Sequence, residues 1–289
     1  MENDCKLSIS TIAYLGYEIE DVIRQVKKIG SHYIELSFIE TYNSSYNSYY
    51  FNSNNALAIR NLLNQYGLEC YTLSAHMDLG NNDSQQAFKK RMEFAKEVGA
   101  SIIITNSSTK DRSKVFFENI SNLSKFAEKK GLIIALENPG NGNNNLMESV
   151  SECIQLISKI NSGSVKINFD FFNILTYSKV HSNFLHELEY IADASVHFHL
   201  KNISKQDDLY YFDTINNDII NYSKILEKLY SIKKSKLSLS IELPFRFHLD
   251  KSLNIQFRPF MPLMNVDNLN RKLMKSMDFI RKILDIDNK

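Results

Sequence analysis

A single (β/α)8 barrel of the TIM type is the fold class this sequence predicts, and three observations predict it. Eight short strand-like runs alternate with helix-like stretches along the whole chain. In six of those runs, polar residues gather on one face and apolar residues on the other. The chain has 289 residues, and a barrel of this kind needs roughly 250, so one α/β domain spanning 1–289 accounts for all of it.

The strand-like runs are 6–11 (KLSIST), 32–38 (HYIELSF), 68–75 (LECYTLSA), 101–105 (SIIIT), 132–137 (LIIALE), 164–170 (SVKINFD), 195–201 (SVHFHLK) and 236–243 (KLSLSIEL). Between them lie stretches with apolar residues three and four apart, the period of a helix that covers one face. Examples are 18–29, 85–98, 115–129, 147–160 and 218–231, and a final helix is expected at about 266–285. Gly67, Gly99 and Gly131 each follow a helical stretch and precede a strand, the place where a helix ends in a left-handed residue. Eight alternations favour a closed parallel barrel. The rival, an open doubly wound sheet, lacks its Gly-rich turn after the first strand, and no solenoid repeat is present.

Strand parity adds direction. Successive side chains of a strand point to opposite faces. In 132–137, Leu132, Ile134 and Leu136 oppose Ile133, Ala135 and Glu137. In 165–170, Val165, Ile167 and Phe169 oppose Lys166, Asn168 and Asp170. In 195–201, Val196, Phe198 and Leu200 oppose Ser195, His197, His199 and Lys201. In 237–242, Leu237, Leu239 and Ile241 oppose Ser238, Ser240 and Glu242. Glu35 opposes Ile34 and Leu36, and Thr72, Ser74 and His76 oppose Tyr71, Leu73 and Ala75. The apolar faces suit packing under helices, so the polar faces point into the barrel.

Bulk properties exclude several classes. A net charge of +1 is not the basic footprint of a nucleic-acid binder, so no nucleic-acid partner is expected. Cys5, Cys70 and Cys153 are far apart and odd in number, which speaks against a disulfide framework and for a reducing cytoplasm. No run approaches the roughly 18 to 20 apolar residues of a membrane span. The start, MENDCKLSIS, has acids where a signal peptide has bases. Two connections are long for a barrel: 39–53 (IETYNSSYNSYYFNS) and 244–265 (PFRFHLDKSLNIQFRPFMPLMN). Both follow strands, so both are expected on the C-terminal face as an aromatic lid, and exposed aromatic loops also make a homodimer an expectation.

Four residues carry the chemistry. Glu137, Asp170, His199 and Glu242 each stand where an apolar run stops and a loop begins. Oxygen and imidazole ligands delivered from successive strand ends suit a divalent metal in a barrel mouth. Three carboxylates and one imidazole fit manganese, magnesium, cobalt or zinc without choosing among them. Asp170 also stands where it would cap the following helix. His197, two residues deeper than His199, suits a supporting or core place.

The segments ENPGNGN (137–143), NFDFFN (168–173), HFHLKN (197–202) and IELP (241–244), in this order and each on a strand end, resemble the xylose-isomerase-like barrel superfamily. That superfamily includes ketose 3-epimerases, hydroxypyruvate isomerase, inosose dehydratase and endonuclease IV. The resemblance implies one divalent metal bound by Glu137, Asp170, His199 and Glu242. It implies that Glu137 and Glu242 also act as acid and base in proton transfer through an enediolate, on a ketose or related polyol. It points to His76 as a substrate-contacting or metal-binding residue, and Glu35, Asn106, Asn173, Lys201 and Arg246 are further candidate substrate contacts.

The chain also departs from the family pattern. Many epimerase-like members carry a histidine three residues after the aspartate; Asn173 stands there and cannot shuttle a proton. Endonuclease IV resembles a three-zinc phosphodiesterase with further histidines; Asn106, Asn173 and the histidine-free 204–214 occupy those places. A dehydratase resembling inosose dehydratase, and a non-catalytic sugar-binding barrel, are the remaining alternatives.

Overall fold

Each amphipathic stretch forms a helix whose apolar stripe lies on the outward face of the strands, and the strands close on one another. The computed structural model describes residues 5–139, 143–177, 184–233, 236–257 and 262–285. The N-terminal residues MEND, residues 140–142 of the ENPGNGN motif and residues 258–261 of the second long connection lie outside the described residues.

In chain order the elements are β1 (Lys6–Ser10), α1 (Ile19–Lys28), β2 (Tyr33–Ser37), α2 (Ser53–Tyr66), β3 (Glu69–Ser74), α3 (Ser84–Val98), β4 (Ile102–Asn106), α4 (Ser113–Lys130), β5 (Ile133–Glu137) and α5 (Val150–Ile160). Then come β6 (Val165–Asp170), α6 (Phe171–Tyr177), α7 (Phe184–Ala194), β7 (Ser195–Leu200), β8 (Ile203–Gln206), β9 (Leu209–Phe212), α8 (Tyr222–Lys233), β10 (Ser238–Ile241), β11 (Phe247–Leu249), β12 (Ile255–Phe257) and α9 (Val266–Leu284). Eight parallel strands form a closed barrel in the order β1-β10-β7-β6-β5-β4-β3-β2. Seven of the eight predicted runs contain one barrel strand each, and the run 101–105 overlaps β4, which extends one residue further to Asn106. Gly67, Gly99 and Gly131 end α2, α3 and α4 with φ of +59°, +100° and +65°, a region costly for any side chain with a Cβ.

The structure adds elements that periodicity did not reveal. Ser53 opens α2, with the Asn52 side chain accepting from the Asn55 amide, so 39–53 ends at a capped helix. The stretch 203–212 is a hairpin, and residues 247–257 supply two more strands. Together they form a four-stranded antiparallel sheet in the order β12-β11-β9-β8. The expected loop 244–265 is therefore partly sheet.

Most of the apolar core lies between strands and helices. A second, small cluster of Ile102, Ile104 and Ala135 has Tyr71, Ile133 and Val196 packed against it. Strict alternation put Tyr71 and Val196 on the outward face. Register shifts at Ile34/Glu35 against β3 and at Ile167/Asn168 against β7 each insert one extra residue. A bulge of this kind re-aims the side chains on either side of it. Among the described residues, no helix is long and apolar enough to cross a membrane.

Tyr222, at the start of α8, ties the outer layer to the barrel mouth. Its buried hydroxyl donates to the Lys201 carbonyl (2.6 Å) and accepts from the Lys201 amide (3.1 Å). Tyr222→Phe would strand both backbone groups. The expected loss is about 1–3 kcal/mol of unfolding free energy, read from urea denaturation; an unchanged midpoint would show that this clamp does not bear on stability.

Candidate metal centre

Four side chains converge because four adjacent strands end together. Glu137 and Asp170 are the last residues of β5 and β6, His199 is the penultimate residue of β7, and Glu242 follows β10. These strands are neighbours in the order β10-β7-β6-β5. One ligand atom from each residue lies within 4.8 Å of the others, and all four residues are buried.

Each of three ligands is fixed by the atom that faces away from the cluster. Glu137 Oε1 accepts from Asn173 Nδ2 (3.2 Å). Asp170 Oδ1 accepts from the Asn173 amide (2.9 Å), so Asp170 caps the start of α6 as well as facing the site. His199 Nε2 lies 3.1 Å from Glu35 Oε2. The atoms that face inward, Glu137 Oε2, Asp170 Oδ2, His199 Nδ1 and Glu242 Oε2, are buried and have no aligned hydrogen-bond partner. Buried polar atoms are rarely left in that state. Three carboxylate oxygens and one imidazole nitrogen, His199 Nδ1 lying 2.7 Å from Glu242 Oε2 and 3.5 Å from Glu137 Oε2, form the donor set of a hard-to-borderline divalent cation, so the residues fit such an ion.

Lys201 enters the same volume. Its Nζ lies 2.5 Å from Asp170 Oδ2, 2.7 Å from Glu242 Oε2 and 3.6 Å from Glu137 Oε1. These are charge contacts without hydrogen-bond alignment at the two closest oxygens. Burial alone would lower the Lys201 ammonium, but Asp170, Glu242 and Glu137 hold it well above its ordinary value. Burial would likewise raise Glu137 and Glu242, yet His199 and Lys201 hold both below the usual carboxylate range. Asp170 is the exception. Burial, with help from the two glutamates and against Lys201, pushes it up to about 6.

Beneath the cluster lies a network centred on Glu35. Its Oε2 accepts from Thr72 Oγ1 (3.0 Å) and Ser240 Oγ (2.9 Å) and faces His197 Nε2 (3.2 Å) as well as His199. Burial would raise this carboxyl; His199 and His197 outweigh it and keep Glu35 well below its ordinary value. Burial lowers His197, whose Nδ1 lies 2.7 Å from Ser238 Oγ. Glu35, His197 and His199 also meet the distance criterion for a metal, but Glu35 Oε2 and the Nε2 atoms facing it are already paired with one another. The group therefore orients His199: with Nε2–H directed at Glu35, Nδ1 is left to face a cation.

The remaining candidates fall into three places. His76 Nδ1 lies 3.0 Å from Asn106 Oδ1, and His76 Nε2 lies 3.3 Å from Glu137 Oε2, so His76 and Asn106 join the cluster from the β3–β4 side. Asn173 supports it, as above. Arg246 lies over the Phe257 ring (5.6 Å) and beside Gly16.

Three contributing residues were not singled out from sequence. The Asn138 side chain donates to the Asp170 carbonyl (2.9 Å) and accepts from the Asp170 amide (2.8 Å), locking the ends of β5 and β6 together. Its position beside Glu137 was the available signal. Arg91 is buried on α3, donates to the Ala75 and His76 carbonyls and reaches Glu40. Tyr42 packs edge-on against Phe247 (4.8 Å), joining the two long connections over the mouth. Burial pushes its phenol up to about 12, with the charges of Lys201, Glu242 and Glu137 close enough to act on it.

Parallel strands closed into a ring, with charged side chains gathered at their C-terminal ends, define the class: a (β/α)8 barrel whose candidate site lies on the face where such barrels carry their chemistry. A sequence model of the xylose isomerase-like TIM barrel family matches residues 23–283, and the chain belongs to this family. The D-psicose 3-epimerase from Clostridium cellulolyticum H10, solved with D-tagatose, is similar to it with a TM-score of 0.72, 14% identity, and coverage of 96% of this chain and 99% of that one. An L-ribulose 3-epimerase gives 0.72 at 12% identity, covering 97% and 95%. A probable 3-DHS dehydratase from Bacillus anthracis, involved in petrobactin synthesis, gives 0.65 at 17% identity, covering 94% and 98%. At these identities the likeness is one of fold. No curated protein matches by sequence.

Glu35→Ala would leave Thr72, Ser240 and both histidines facing an empty position. Removing one partner of a buried charge network costs about 3–5 kcal/mol. That loss is expected in denaturant unfolding; a loss below about 1 kcal/mol, the scale of a single ordinary hydrogen bond, would show that the network does not hold the barrel.

Proposed function

We propose that this protein is a divalent-metal-dependent sugar isomerase or epimerase that moves a proton through an enediolate on a ketose or related polyol. The convergence of Glu137 Oε2, Asp170 Oδ2, His199 Nδ1 and Glu242 Oε2, all buried and within 4.8 Å of one another, carries this reading. A divalent ion held by these four residues would supply positive charge that stabilises the enediolate. The protein's own groups handle the proton. Glu137 and Glu242 rise from β5 and β10, with β6 and β7 between them, so they flank the mouth from two sides. Both are held below the usual carboxylate range, the state a base requires. His76, 3.3 Å from Glu137, gives that side a partner able to return a proton. Lys201 adds a fixed positive charge beside Asp170 and Glu242, suited to a substrate oxygen. Tyr42 and Phe247, in edge-on contact at 4.8 Å, would cover the reacting carbon from the loop side.

The sugar-epimerase neighbours make a small polyhydroxy molecule the expected partner. A dehydratase is the second reading. His76 favours it, as a protic group beside Glu137 that can protonate a departing hydroxyl after the same proton abstraction.

The purified protein is expected to hold one divalent ion per chain, and to exchange the α-proton of a ketose with deuterium in heavy water. Glu137→Gln and Glu242→Gln should each lower that exchange by roughly 10²-fold or more with the circular dichroism spectrum preserved. Turnover retained in both variants would overturn the assignment, and a product lighter by one water would select the dehydratase.

Metal uptake is also expected to depend on pH. Burial would lower His199, but Glu242, Glu35 and Glu137 hold it well above its ordinary value. The metal-free protein thus carries a proton there at neutral pH, and uptake must expel it. Affinity should rise with pH, roughly tenfold per unit for one proton released. Calorimetry in buffers of different ionisation enthalpy measures the proton; none released would contradict this picture of the site.

A further inference from the structure

The charged ligands occupy only half of the barrel mouth. The other half is formed by β1, β2, β3 and β4, of which β1, β2 and β3 are consecutive neighbours in the closed ring. Strands β1, β2 and β3 each end in a serine: Ser10, Ser37 and Ser74. Their height therefore matches that of Glu137 and Asp170, which end β5 and β6.

All three hydroxyls point inward. Ser8, two residues before Ser10, bonds across the interior to Ser240 (2.5 Å). Glu35, two residues before Ser37, reaches His197 and His199 across the barrel. Thr72, two residues before Ser74, donates to Glu35. Strand alternation gives each serine the direction of the residue two before it, and no register shift intervenes between Thr72 and Ser74. Ser37 and Ser74 are direct cross-strand partners, and Ser10 pairs with Glu35, two residues before Ser37. The three thus form one contiguous patch.

The residues are buried, at 0%, 6% and 0% exposure, and none of the three Oγ atoms has a hydrogen-bond partner. One bare hydroxyl is unremarkable. Three on adjacent strand ends, facing a cluster suited to a carbonyl and its neighbouring hydroxyl, form a wall of donors and acceptors with nothing to bind.

We propose that Ser10, Ser37 and Ser74 form a hydroxyl-binding wall that receives the end of an uncharged polyhydroxy substrate remote from the charged cluster. A hydroxyl both donates and accepts, as does each hydroxyl of a sugar chain. A phosphate or carboxylate tail would instead call for cationic donors, and this wall is built of neutral serines. The inference rests on the isomerase reading above and extends it to the far end of the substrate.

The test separates the two. Alditols lack a carbonyl and cannot react, so their binding is read without turnover, and the difference between a long and a short alditol reads the wall. The metal-loaded protein is titrated by calorimetry with sorbitol, glycerol and a phosphorylated alditol. A variant carrying Ser10→Ala, Ser37→Ala and Ser74→Ala together is titrated in the same way, its fold checked by circular dichroism. Sorbitol is expected to bind the native protein more tightly than glycerol. Each serine lost should weaken sorbitol roughly three- to tenfold and leave glycerol unchanged. If the triple variant does not fold, the three single variants carry the same comparison. On a six-carbon ketose, the variants should raise KM with kcat held within about twofold, the signature of lost uniform binding. No preference for sorbitol, or the same preference in the variants, would show that the serines hold only water and would overturn the wall. Tighter binding of the phosphorylated alditol would overturn the uncharged substrate. Failure of every ketose to exchange deuterium would remove the isomerase reading, while the titrations still decide the wall.

Discussion

Three carboxylates brought into one buried volume are the constraint around which this molecule is built. At an effective dielectric of about 20, two unit charges 4 Å apart interact by about 4 kcal/mol, and Glu137, Asp170 and Glu242 hold ligand atoms within 4.8 Å of one another. Nothing apolar can compensate that repulsion. Positive charge and donated hydrogen bonds must. Lys201 supplies one charge from within the cluster. A divalent ion would supply two more, and three negative charges would then be balanced. The Asp170 carboxyl, raised to about 6 by burial and its neighbours, marks where the repulsion is least relieved when the protein's own groups act alone.

A closed barrel can sustain such an arrangement because its strand ends cannot spread. Every barrel strand has two hydrogen-bonded neighbours, and the ends that bear ligands are cross-linked further. Asn138 ties β5 to β6 through both amide atoms, and Tyr222 grips the Lys201 backbone from α8. Arg91 holds the end of β3 and, through Glu40, the connection that carries Tyr42. Removing any of these would loosen the geometry without touching the ligands themselves. Catalytic groups on rigid elements owe their precision to such supports.

The parts of this structure legible in the sequence are those governed by a period. Glu137, Asp170, His199 and Glu242 stood out because period-two runs ended at them, and the same alternation gave their direction. Tyr71 and Val196 were misplaced because a bulge shifts the phase without leaving any mark in composition. The β8–β9 hairpin turns through Asp207 and Asp208, with Asp207 at φ +54°, where a glycine or Asn-Gly pair would have announced it. Its strands have only four residues each, too few for a pattern. The contact of Tyr42 with Phe247 joins residues about two hundred positions apart, and neither loop constrains the other locally. Asn138 sat inside a recognised motif, yet an amide that bonds only to a neighbouring strand's backbone has no periodic signature.

Asn173 shows how a departure from a family pattern becomes intelligible once its contacts are known. A histidine there would be a titrating group beside Glu137. The asparagine instead donates to Glu137 Oε1 and to the Asn138 carbonyl, while its backbone amide holds Asp170. It holds Glu137, Asp170 and the β5–β6 seam in place. Under the proposed reading the acid–base role on this side is left to Glu137, which His76 approaches to 3.3 Å from the end of β3. The mouth divides accordingly. One sector, from β10 round to β5, is charged and rigidly braced; the other, from β1 to β3, ends in neutral hydroxyls. Under the proposed reading, a substrate that presents a carbonyl to the first and hydroxyls to the second would satisfy both without bringing in an unpaired charge.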